Sequence, residues 1–397
     1  MSAQSQKLKA KSINAAAKDY GLRTRDLSDL KVAIVCDWLI GTGGAERVVV
    51  ELHRLYPDAP IYTSQYDGRL KKWFGDTWFE NAEIRTLWTQ KLPKVLRKFM
   101  PPLRALAFSR LNLSEFDLVI SSSGAEAKFV KVKDGAVHIT YCHAPTHYYW
   151  ARYEQYLKQP GFGWFNPLAR LGLKLLVGPM RRLDLKAASR PDYFVANSNY
   201  TQEQIKKYYG RDSVVIHPPV DIERFAKHNL PADKRHGYVT AGRQTPYKRI
   251  DLAVKAATKI NLPLLVIGRG PEHKKLKRLA GRNVTFLRQT TDEKMAEHFG
   301  SAKGFIFPGI DDFGIVAVEA LAAGTPVLAY GEGGALGYVD KSSGMVFNRP
   351  SADNLASALD NFDKMSFDHQ KIAENAKRFS ATRFRVEMMK FLKNIRQ

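Results

Sequence analysis

The sequence predicts an α/β protein with two doubly wound parallel sheets, each in a domain of its own. Three observations predict this class. The chain has 397 residues, more than one ordinary hydrophobic core accommodates. Short continuous apolar runs, typical of strands buried on both faces, alternate with amphipathic helical stretches. This alternation occurs twice, and a proline-containing, charged segment separates the two series.

The elements follow in order along each series. Residues 1–29 form a polar, basic extension. The N-terminal strands are predicted at 31–37, 60–63, 117–122, 137–142 and 192–197. The segment HPPVDIERF ends this half, and AKHNLPADKRHG is the predicted linker, so the N-terminal domain spans 30–228. The C-terminal strands are predicted at 238–241, 263–268, 283–287, 304–307 and 326–330, with helices over 249–259 and 312–323. This domain spans 229–381, and an amphipathic helix over 382–397 follows it.

Charge is the unusual feature of the composition. The formal net charge is +23 at pH 7, which indicates an anionic partner such as nucleic acid, anionic lipid or a phosphorylated substrate. The two cysteines, Cys36 and Cys142, show no metal-ligand spacing, and a reducing cytoplasm is the natural setting. No apolar signal-peptide region and no run of about 18 apolar residues occurs, so neither a signal peptide nor a spanning helix is expected.

The loops after the C-terminal strands carry the strongest functional signals, because ligands of doubly wound sheets bind at the carboxyl ends of strands. GRQTPYKR (242–249) places Arg243 and Lys248 across a proline-containing turn, where two fixed cations can clamp a diphosphate. The alternative is a solvated basic loop, and the spacing leaves both open.

A second loop and helix carry carboxylates. In PGIDDFGIVAVEALAAGTPVLAY (308–330), Gly314 allows close backbone approach and the helix N-terminus favours an anion. Glu319 interrupts an apolar run and can accept from ribose hydroxyls, and Asp311 can accept from sugar hydroxyls. The alternative is that Asp311 and Asp312 only cap the helix and that Glu319 lies on the surface.

Two N-terminal motifs are weaker signals. Gly43 and Gly44 in GTGGAE allow a loop to pass close to phosphates or a sugar, although a tight structural turn explains them nearly as well. His143, held by Ala144-Pro145, can place an imidazole where it contacts a sugar, although a lone histidine is more often structural.

Two basic, apolar segments, 87–111 and 164–190, can form amphipathic helices that lie on an anionic membrane. The alternative is that their apolar faces are ordinary core. Nucleic-acid binding is not expected, because no recognition motif and no stacking series of aromatic residues occurs.

These motifs together resemble retaining glycosyltransferases of family 4. The resemblance rests on DWLIGTGGAERV, YCHAPTHYYW, VANSNYTQEQI, HPPVDIERF, GRQTPYKR, VIGRGPE and FIFPGIDDFGIVAVEALAAGTPVLAYGEGG, and it leaves out residues 1–29 and about 64–115. It implies the GT-B fold, with two Rossmann-like domains facing a cleft. The N-terminal domain would bind the acceptor and the C-terminal domain the nucleotide-sugar, and the last helix would cross back to the N-terminal domain.

The resemblance also implies roles for individual residues. Arg243 and Lys248 would stabilise the leaving diphosphate, and Glu319 would hold the ribose. The family's signature is two glutamates separated by seven residues, and Asp311 departs from it at the first position, which changes the reach to the donor sugar. The expected catalytic residues are His143, Arg243, Lys248, Asp311 and Glu319, and the expected donor-binding residues are Gly43, Gly44, Gly242, Phe313, Gly314 and Ile315.

The sub-branch is suggested by CHAPTHYYWARYEQYL and DDFGI, which are similar to mannosyltransferases of bacterial O-antigen and exopolysaccharide assembly. This similarity implies GDP-mannose as donor, a lipid-linked or membrane-associated glycan as acceptor, and a cytoplasmic enzyme at the inner face of the cell membrane. No cofactor and no metal is expected, since the cleft loops lack an Asp-x-Asp motif. A UDP-sugar donor and a sugar-nucleotide epimerase remain the alternatives.

Overall fold

The computed structural model describes residues 30–72, 78–79, 81–93, 100–158, 160, 163–288 and 290–395. The predicted basic extension over 1–29 lies outside the described residues. The chain divides into an N-terminal unit, residues 1–219 with 384–397, and a C-terminal unit, residues 220–383. The division therefore falls before Val220 rather than after residue 228. The reason is that Val220 pairs with Ser380, while Ile222 and Phe225 lie in the C-terminal core.

The N-terminal unit is built on a parallel sheet with the strand order β3-β2-β1-β4-β5-β6-β7. Its strands are β1 (Val32–Cys36), β2 (Ile61–Thr63), β3 (Ile84–Thr86), β4 (Leu118–Ser123), β5 (Val137–Cys142), β6 (Tyr193–Ala196) and β7 (Val214–Val215). Its described helices before the C-terminal unit are α1 (Gly44–Leu55), α2 (Pro101–Ser109), α3 (Tyr153–Lys158), α4 (Asn166–Ala188) and α5 (Asn199–Tyr209). β1 and β4 are buried along their whole length, as continuous apolar runs predict.

The C-terminal unit repeats this plan with the strand order β10-β9-β8-β11-β12-β13. Its strands are β8 (Tyr238–Ala241), β9 (Leu264–Ile267), β10 (Val284–Leu287), β11 (Gly304–Phe307), β12 (Val327–Tyr330) and β13 (Gly344–Phe347). Its helices are α6 (Ile222–Ala226), α7 (Ile250–Lys259), α8 (His273–Leu279), α9 (Asp292–Gly300), α10 (Ile315–Ala322), α11 (Ala352–Phe362) and α12 (His369–Ala376). The predicted fold class, two parallel-sheet α/β domains, is confirmed.

The last helix, α13 (Ala381–Asn394), belongs to the N-terminal core. Phe384, Met388 and Leu392 are buried in the same cluster as the side chains of β1, β4 and α1. Arg385 of this helix also forms an ion pair with the buried Glu51 of α1. The core of the N-terminal unit is thus completed by residues that follow the C-terminal unit in the chain.

The predicted linker is part of the C-terminal unit. Arg235 is buried, and its guanidinium donates hydrogen bonds to side-chain and carbonyl oxygens that lie as far away in sequence as Ala323 and Thr325. Its other acceptors are Asn229 Oδ1, the Leu230 carbonyl and the Ala302 carbonyl. A buried cation with this many acceptors fixes the segment, so the prediction of a linker was wrong.

The two basic, apolar segments have different structures. Within 87–111, residues 94–99 lie outside the described residues, and α2 buries Ala105, Phe108 and even Arg104. The core interpretation therefore holds for α2. The segment 164–190 is the long helix α4, most of whose large apolar side chains are exposed. Among the helices of the described ranges, none is long and apolar enough to cross a bilayer.

Replacing Phe384 by alanine is expected to lower the free energy of unfolding of the N-terminal unit by about 3–5 kcal/mol. The ring is fully buried and packs edge-on against Tyr141, with 5.8 Å between the ring centroids. Urea unfolding followed by tryptophan fluorescence would measure the loss, with Asn394→Ala at the exposed end of α13 as the control. Equal unfolding midpoints for the two variants would contradict the assignment of α13 to this core.

Candidate functional site

The loop after β8 presents the two predicted cations of the C-terminal unit. Gly242 leaves the strand with φ +144°, a conformation that favours glycine. Arg243 is exposed, and Lys248 ends a 3₁₀ turn that begins at Pro246. The proline fixes the start of this turn, so the two cations are held at the carboxyl edge of the sheet, as the sequence predicts.

Gln244 anchors this loop, a role that its spacing in the sequence did not reveal. The side chain is buried, and its Nε2 donates to the Gly268 carbonyl at 2.9 Å. Its backbone N–H donates to the Arg269 carbonyl at 3.0 Å. His273 Nδ1 lies 2.8 Å from Gln244 Oε1. The loops after β8 and β9 are therefore joined by one amide side chain.

The loop after β11 ends at Gly314, which is the N-cap of α10 with φ +89°. A Cβ at this position would lie 2.7 Å from both Phe307 Cζ and the Tyr338 hydroxyl, so only glycine fits. The N-cap of α10 is thus a glycine, which makes no side-chain cap hydrogen bond. Asp311 instead pairs with Lys248, so the alternative that it is only a helix cap does not hold for Asp311.

Lys248 and Asp311 meet in an ion pair between these two loops. The two side chains are 17% and 11% exposed, so the pair is partly withdrawn from water. β8 and β11 are neighbouring strands, which brings the two loops together. The structure therefore joins a predicted cation and a predicted carboxylate that are 63 positions apart in sequence.

Glu319 lies in α10 and is buried, which rules out the alternative that it is a surface residue. Its neighbours in the helix, including Val318 and Ala320, are buried as well. Burying a carboxylate is costly unless it is paired or hydrogen-bonded, so its burial here calls for partners.

The loop after β12 packs tightly against the loop that holds Asp311. A Cβ on Gly333 would lie 2.7 Å from the Asp311 carbonyl oxygen, and one on Gly334 would lie 2.6 Å from Phe313 Cα. The Gly334 N–H donates to the Asp311 carbonyl at 2.8 Å. Glycine is therefore required at both positions because the backbones of the two loops are in close contact.

Tyr338 completes this arrangement and was not anticipated from the sequence. Its hydroxyl donates to the carbonyls of Phe313 at 2.8 Å and Gly314 at 3.1 Å. Burial raises the pKa of Tyr338 well above its usual value, so the hydroxyl stays protonated and donates. The Phe313 ring is buried against Tyr338, so only the main chain of Phe313 is left to contact a ligand.

In the N-terminal unit, the glycine-rich loop is organised by a buried carboxylate. Gly43 is the N-cap of α1, and its N–H donates to Glu46 Oε2 at 3.0 Å. A Cβ on Gly43 would lie 2.8 Å from the same oxygen, and Gly44 is the first residue of α1. Burial raises the pKa of Glu46 to about 7. Gly43 thus has a structural function in this turn, whatever else the loop contacts.

Asp37, directly after β1, holds the loop after β4. Its carboxylate accepts hydrogen bonds from the N–H groups of Gly124 at 2.7 Å, Ala125 at 3.0 Å and Ala127 at 2.7 Å. Burial raises the pKa of Asp37 to about 6, and the charge of Glu126 adds to that rise, while these N–H groups oppose it. This role has no local signal in the sequence, because the partners lie about ninety positions away.

His143 follows β5 and is half-buried. Its Nε2 lies 2.8 Å from Ser122 Oγ, and its carbonyl accepts from Asn197 Nδ2 at 2.9 Å. Its own N–H donates to the Ser123 carbonyl at 2.9 Å. The ring is therefore held at the carboxyl edge of the N-terminal sheet, one strand further along than the loop that Asp37 fixes.

Two family models match adjoining parts of the chain. The model "Glycosyltransferase Family 4" matches residues 42–224, and the model "Glycosyl transferases group 1" matches residues 221–379. Together they cover nearly all of both units. The chain belongs to glycosyltransferase family 4.

Two named glycosyltransferases are similar to part of the chain. The D-inositol 3-phosphate glycosyltransferase of Rhodococcus opacus is 30% identical over 44% of this chain and 46% of its own length. A GDP-mannose-dependent monoacylated alpha-(1-6)-phosphatidylinositol monomannoside mannosyltransferase of Corynebacterium glutamicum is 29% identical over 48% of this chain and 57% of its own length. Each match thus spans about half of the relative.

A solved structure has a similar fold over nearly the whole length of this chain. Anabaena HepE, in complex with UDP and glucose, has a TM-score of 0.64 at 19% identity. The match covers 92% of this chain and 99% of HepE. The two parallel-sheet units are those of a GT-B glycosyltransferase, as the motifs led us to expect.

The structure brings some predicted residues together within each unit. Arg243, Lys248 and Asp311 lie on neighbouring loops of the C-terminal sheet, and the helix that contains Glu319 begins at Gly314. In the N-terminal unit, β4 lies between the strands that precede Gly43 and His143. The roles of these residues toward a donor stay predictions.

Replacing Tyr338 by phenylalanine is expected to lower the stability of the C-terminal unit by about 1–2 kcal/mol, because the Phe313 carbonyl loses the Tyr338 hydroxyl as donor. Differential scanning calorimetry would measure the shift in melting temperature. Tyr330→Phe is the matched control, since the Tyr330 hydroxyl makes no hydrogen bond within the described part of the chain. A Tyr338→Phe variant as stable as the control would contradict the proposed anchoring.

Glu46→Gln is expected to make the N-terminal unit less sensitive to pH. The pKa of Glu46 is about 7 in the folded chain against an ordinary 4.5, so the folded state keeps a proton that the unfolded state has released. Stability therefore falls as pH rises through this window, by up to about 3 kcal/mol, and glutamine removes that loss.

Chemical denaturation at about pH 5 and about pH 8 would measure this difference. The glutamine oxygen can still accept from the Gly43 N–H, so the turn itself is retained. Asp37, whose charge contributes to the raised pKa of Glu46, is present in both proteins, so the difference between them reports the loss of the Glu46 carboxyl. Parallel pH profiles for the wild type and Glu46→Gln would show that Glu46 titrates normally.

Proposed function

We propose that this family 4 member is a glycosyltransferase that moves mannose from GDP-mannose to a lipid-linked or membrane-associated glycan. The observation that carries the proposal is the meeting of two loops at the Lys248–Asp311 ion pair, beside the N-terminus of α10. A nucleotide-sugar needs cations for its diphosphate and acceptors for its hydroxyls, and these loops offer both in one place.

Charge neutralisation of the leaving diphosphate is the central chemical step of the proposal. Arg243 is exposed and Lys248 is only partly shielded by Asp311, so both cations can reach phosphate oxygens. The N-terminus of α10 adds partial positive charge through the helix dipole. Stabilising the charge that develops on the departing GDP lowers the barrier to breaking the bond between the anomeric carbon of the sugar and the phosphate oxygen.

The sugar and ribose are assigned to carboxylates. Asp311 lies beside Lys248, so it can accept from sugar hydroxyls next to the diphosphate. Glu319 is buried in α10, and the family resemblance assigns it to the ribose hydroxyls. His143 is assigned to the donor sugar from the N-terminal unit, where Ser122 fixes its ring.

We propose that the reaction retains the anomeric configuration and needs no metal. Arg243 and Lys248 supply the positive charge that a metal supplies elsewhere. The leaving phosphate can accept the proton of the acceptor hydroxyl as that hydroxyl attacks from the same face. The family resemblance supports this course, and the configuration of the product, read by proton NMR, tests it.

The donor is proposed from the relatives. The Corynebacterium glutamicum relative is named as GDP-mannose-dependent, which supports a GDP-mannose donor here. The structure of Anabaena HepE holds UDP and glucose, which supports the alternative of a UDP-sugar. The name of the Corynebacterium glutamicum relative gives a phosphatidylinositol monomannoside as acceptor, which together with the high positive charge supports a membrane-bound acceptor here. A role in polysaccharide assembly at the cytoplasmic face of the membrane is proposed from the family resemblance.

GDP and GDP-mannose are expected to raise the melting temperature of the protein more than UDP, UDP-glucose or UDP-N-acetylglucosamine. A nucleotide that binds only the folded protein stabilises it by mass action. Slow release of GDP from GDP-mannose in the absence of acceptor would identify the donor. Selective stabilisation by UDP would favour the alternative donor, and formation of an epimer without acceptor would indicate an epimerase.

Lys248→Ala is expected to lower the turnover of the donor by about 10²–10³-fold, because one of two phosphate-neutralising cations is lost. Turnover is measured as nucleotide release under saturating donor. Lys255→Ala, on the exposed side of α7, is the matched control. Lys248→Arg keeps the charge and is expected to retain more activity than alanine.

The Lys248→Ala variant leaves Asp311 without its partner, so its melting temperature must be measured alongside its activity. A folded variant with near-normal turnover would remove the cation clamp from the mechanism.

A further inference from the structure

Helix α4 exposes a stripe of large apolar side chains on the N-terminal unit. The apolar stripe consists of Trp164, just before the helix, and of Leu168, Leu171 and Leu175, which are 84%, 67%, 54% and 68% exposed. Their spacing of four, three and four positions places them on one side of a helix. Exposed apolar residues that are contiguous on one face mark an interaction surface.

The opposite side of α4 is fixed to the N-terminal unit. Met180, Asp184 and Ala187 are its buried residues toward the end of the helix. Asp184 pairs with the buried Lys128 at 2.7 Å, and Arg181 Nε donates to the Tyr149 carbonyl at 2.7 Å. These contacts fix the rotation of the helix, so the apolar stripe faces away from the core.

The charges around the apolar stripe have one sign. No aspartate or glutamate occurs from residue 155 to residue 183, and this stretch contains five basic residues. Lys174 and Arg182 are exposed. The guanidinium of Arg170 donates to the carbonyls of Leu157 at 3.1 Å and Lys158 at 2.9 Å, so it holds α4 to α3. The next acidic residue, Asp184, is buried and paired. The partner of this surface is therefore expected to be apolar at its centre and anionic around it.

These charges favour an anionic bilayer over a second copy of the chain. A symmetric dimer through the apolar stripe would place the same basic side chains of both copies near each other, which is unfavourable. A bilayer offers acyl chains to the leucines and lipid phosphates to the arginines and lysines. The net charge of +23 adds a longer-range attraction to such a surface.

We propose that the apolar stripe of α4 inserts into the headgroup boundary of an anionic bilayer, with Lys174 and Arg182 on lipid phosphates. The inference deepens the proposed function by naming the element that contacts the membrane. It assigns no such role to α2, the helix in the other basic, apolar segment, because α2 buries Ala105 and Phe108 in the core. Insertion would hold the predicted acceptor-binding unit at the surface where lipid-linked acceptors reside.

The test is co-sedimentation of the full chain with vesicles of phosphatidylcholine alone or mixed with phosphatidylglycerol. The wild type is expected to bind the mixed vesicles and to bind neutral vesicles much less. Leu168→Ser with Leu175→Ser is expected to weaken binding to mixed vesicles by at least about tenfold, because two exposed leucines lose their burial in lipid.

Leu336→Ser is the matched control, since Leu336 is an exposed leucine of the C-terminal unit and should not affect vesicle binding. Both leucines of the double variant are exposed, so it should fold, and its melting temperature checks this. Trp164 gives a second measurement: its emission should shift to the blue with mixed vesicles, as a difference from Trp164→Phe.

Three results would overturn the inference. They are no binding of the wild type to mixed vesicles, equal binding to both vesicle types, and undiminished binding of the double variant. A dimer that the double variant dissociates, seen by analytical ultracentrifugation without any change in vesicle binding, would also overturn it and assign the stripe to a second copy. The nucleotide experiments need no vesicles, so this inference and the proposed donor chemistry can fail separately.

Discussion

Backbone contact between Gly309 and Lys248 determines the geometry of the C-terminal site. A Cβ on Gly309 would lie 2.7 Å from Lys248 Cα, so the loops after β8 and β11 are as close as two backbones can be. Asp311 follows two positions later and reaches Lys248 for that reason. Gly333 and Gly334 pack against the far side of the same loop. The carboxylate is thus positioned by close packing of main chains, which is less compliant than a side-chain contact.

The N-terminal unit fixes its loops by a different physical means. Asp37 and Glu46 are buried carboxylates that accept hydrogen bonds from backbone N–H groups of the loops that they hold. Such groups satisfy loop donors that would otherwise be buried without acceptors. The cost is the desolvation of a charge, which is why the pKa of both carboxyls is raised. Packing holds one set of loops and buried charge holds the other.

The central strands and the loops that follow them could be predicted from the sequence, because burial on both faces produces continuous apolar runs such as YVTA in β8. β3, β7 and β13 were missed. Each lies at the edge of its sheet and includes residues that are not fully buried, so its sequence carries a weaker signal. The edge strand β10 was predicted all the same, since VTFL consists mostly of strand-forming residues.

Within the site, residue types and loop positions were predictable but partners were not. The motif around Arg243 and Lys248 indicated a cation pair after a strand, and the structure places both there. The ion pair with Asp311 depends on how two loops meet, and the anchoring by Tyr338 depends on atoms about 25 positions away. Arg235 was assigned to a linker because its acceptors, up to 90 positions distant, leave no local pattern.

The path of the chain has a consequence for biosynthesis. The N-terminal core includes Phe384, Met388 and Leu392, which a ribosome adds only after the entire C-terminal unit. The strands of the N-terminal sheet therefore emerge long before the helix that covers them, α13, has been made. During that interval the exposed apolar face of the N-terminal sheet is a natural binding site for chaperones.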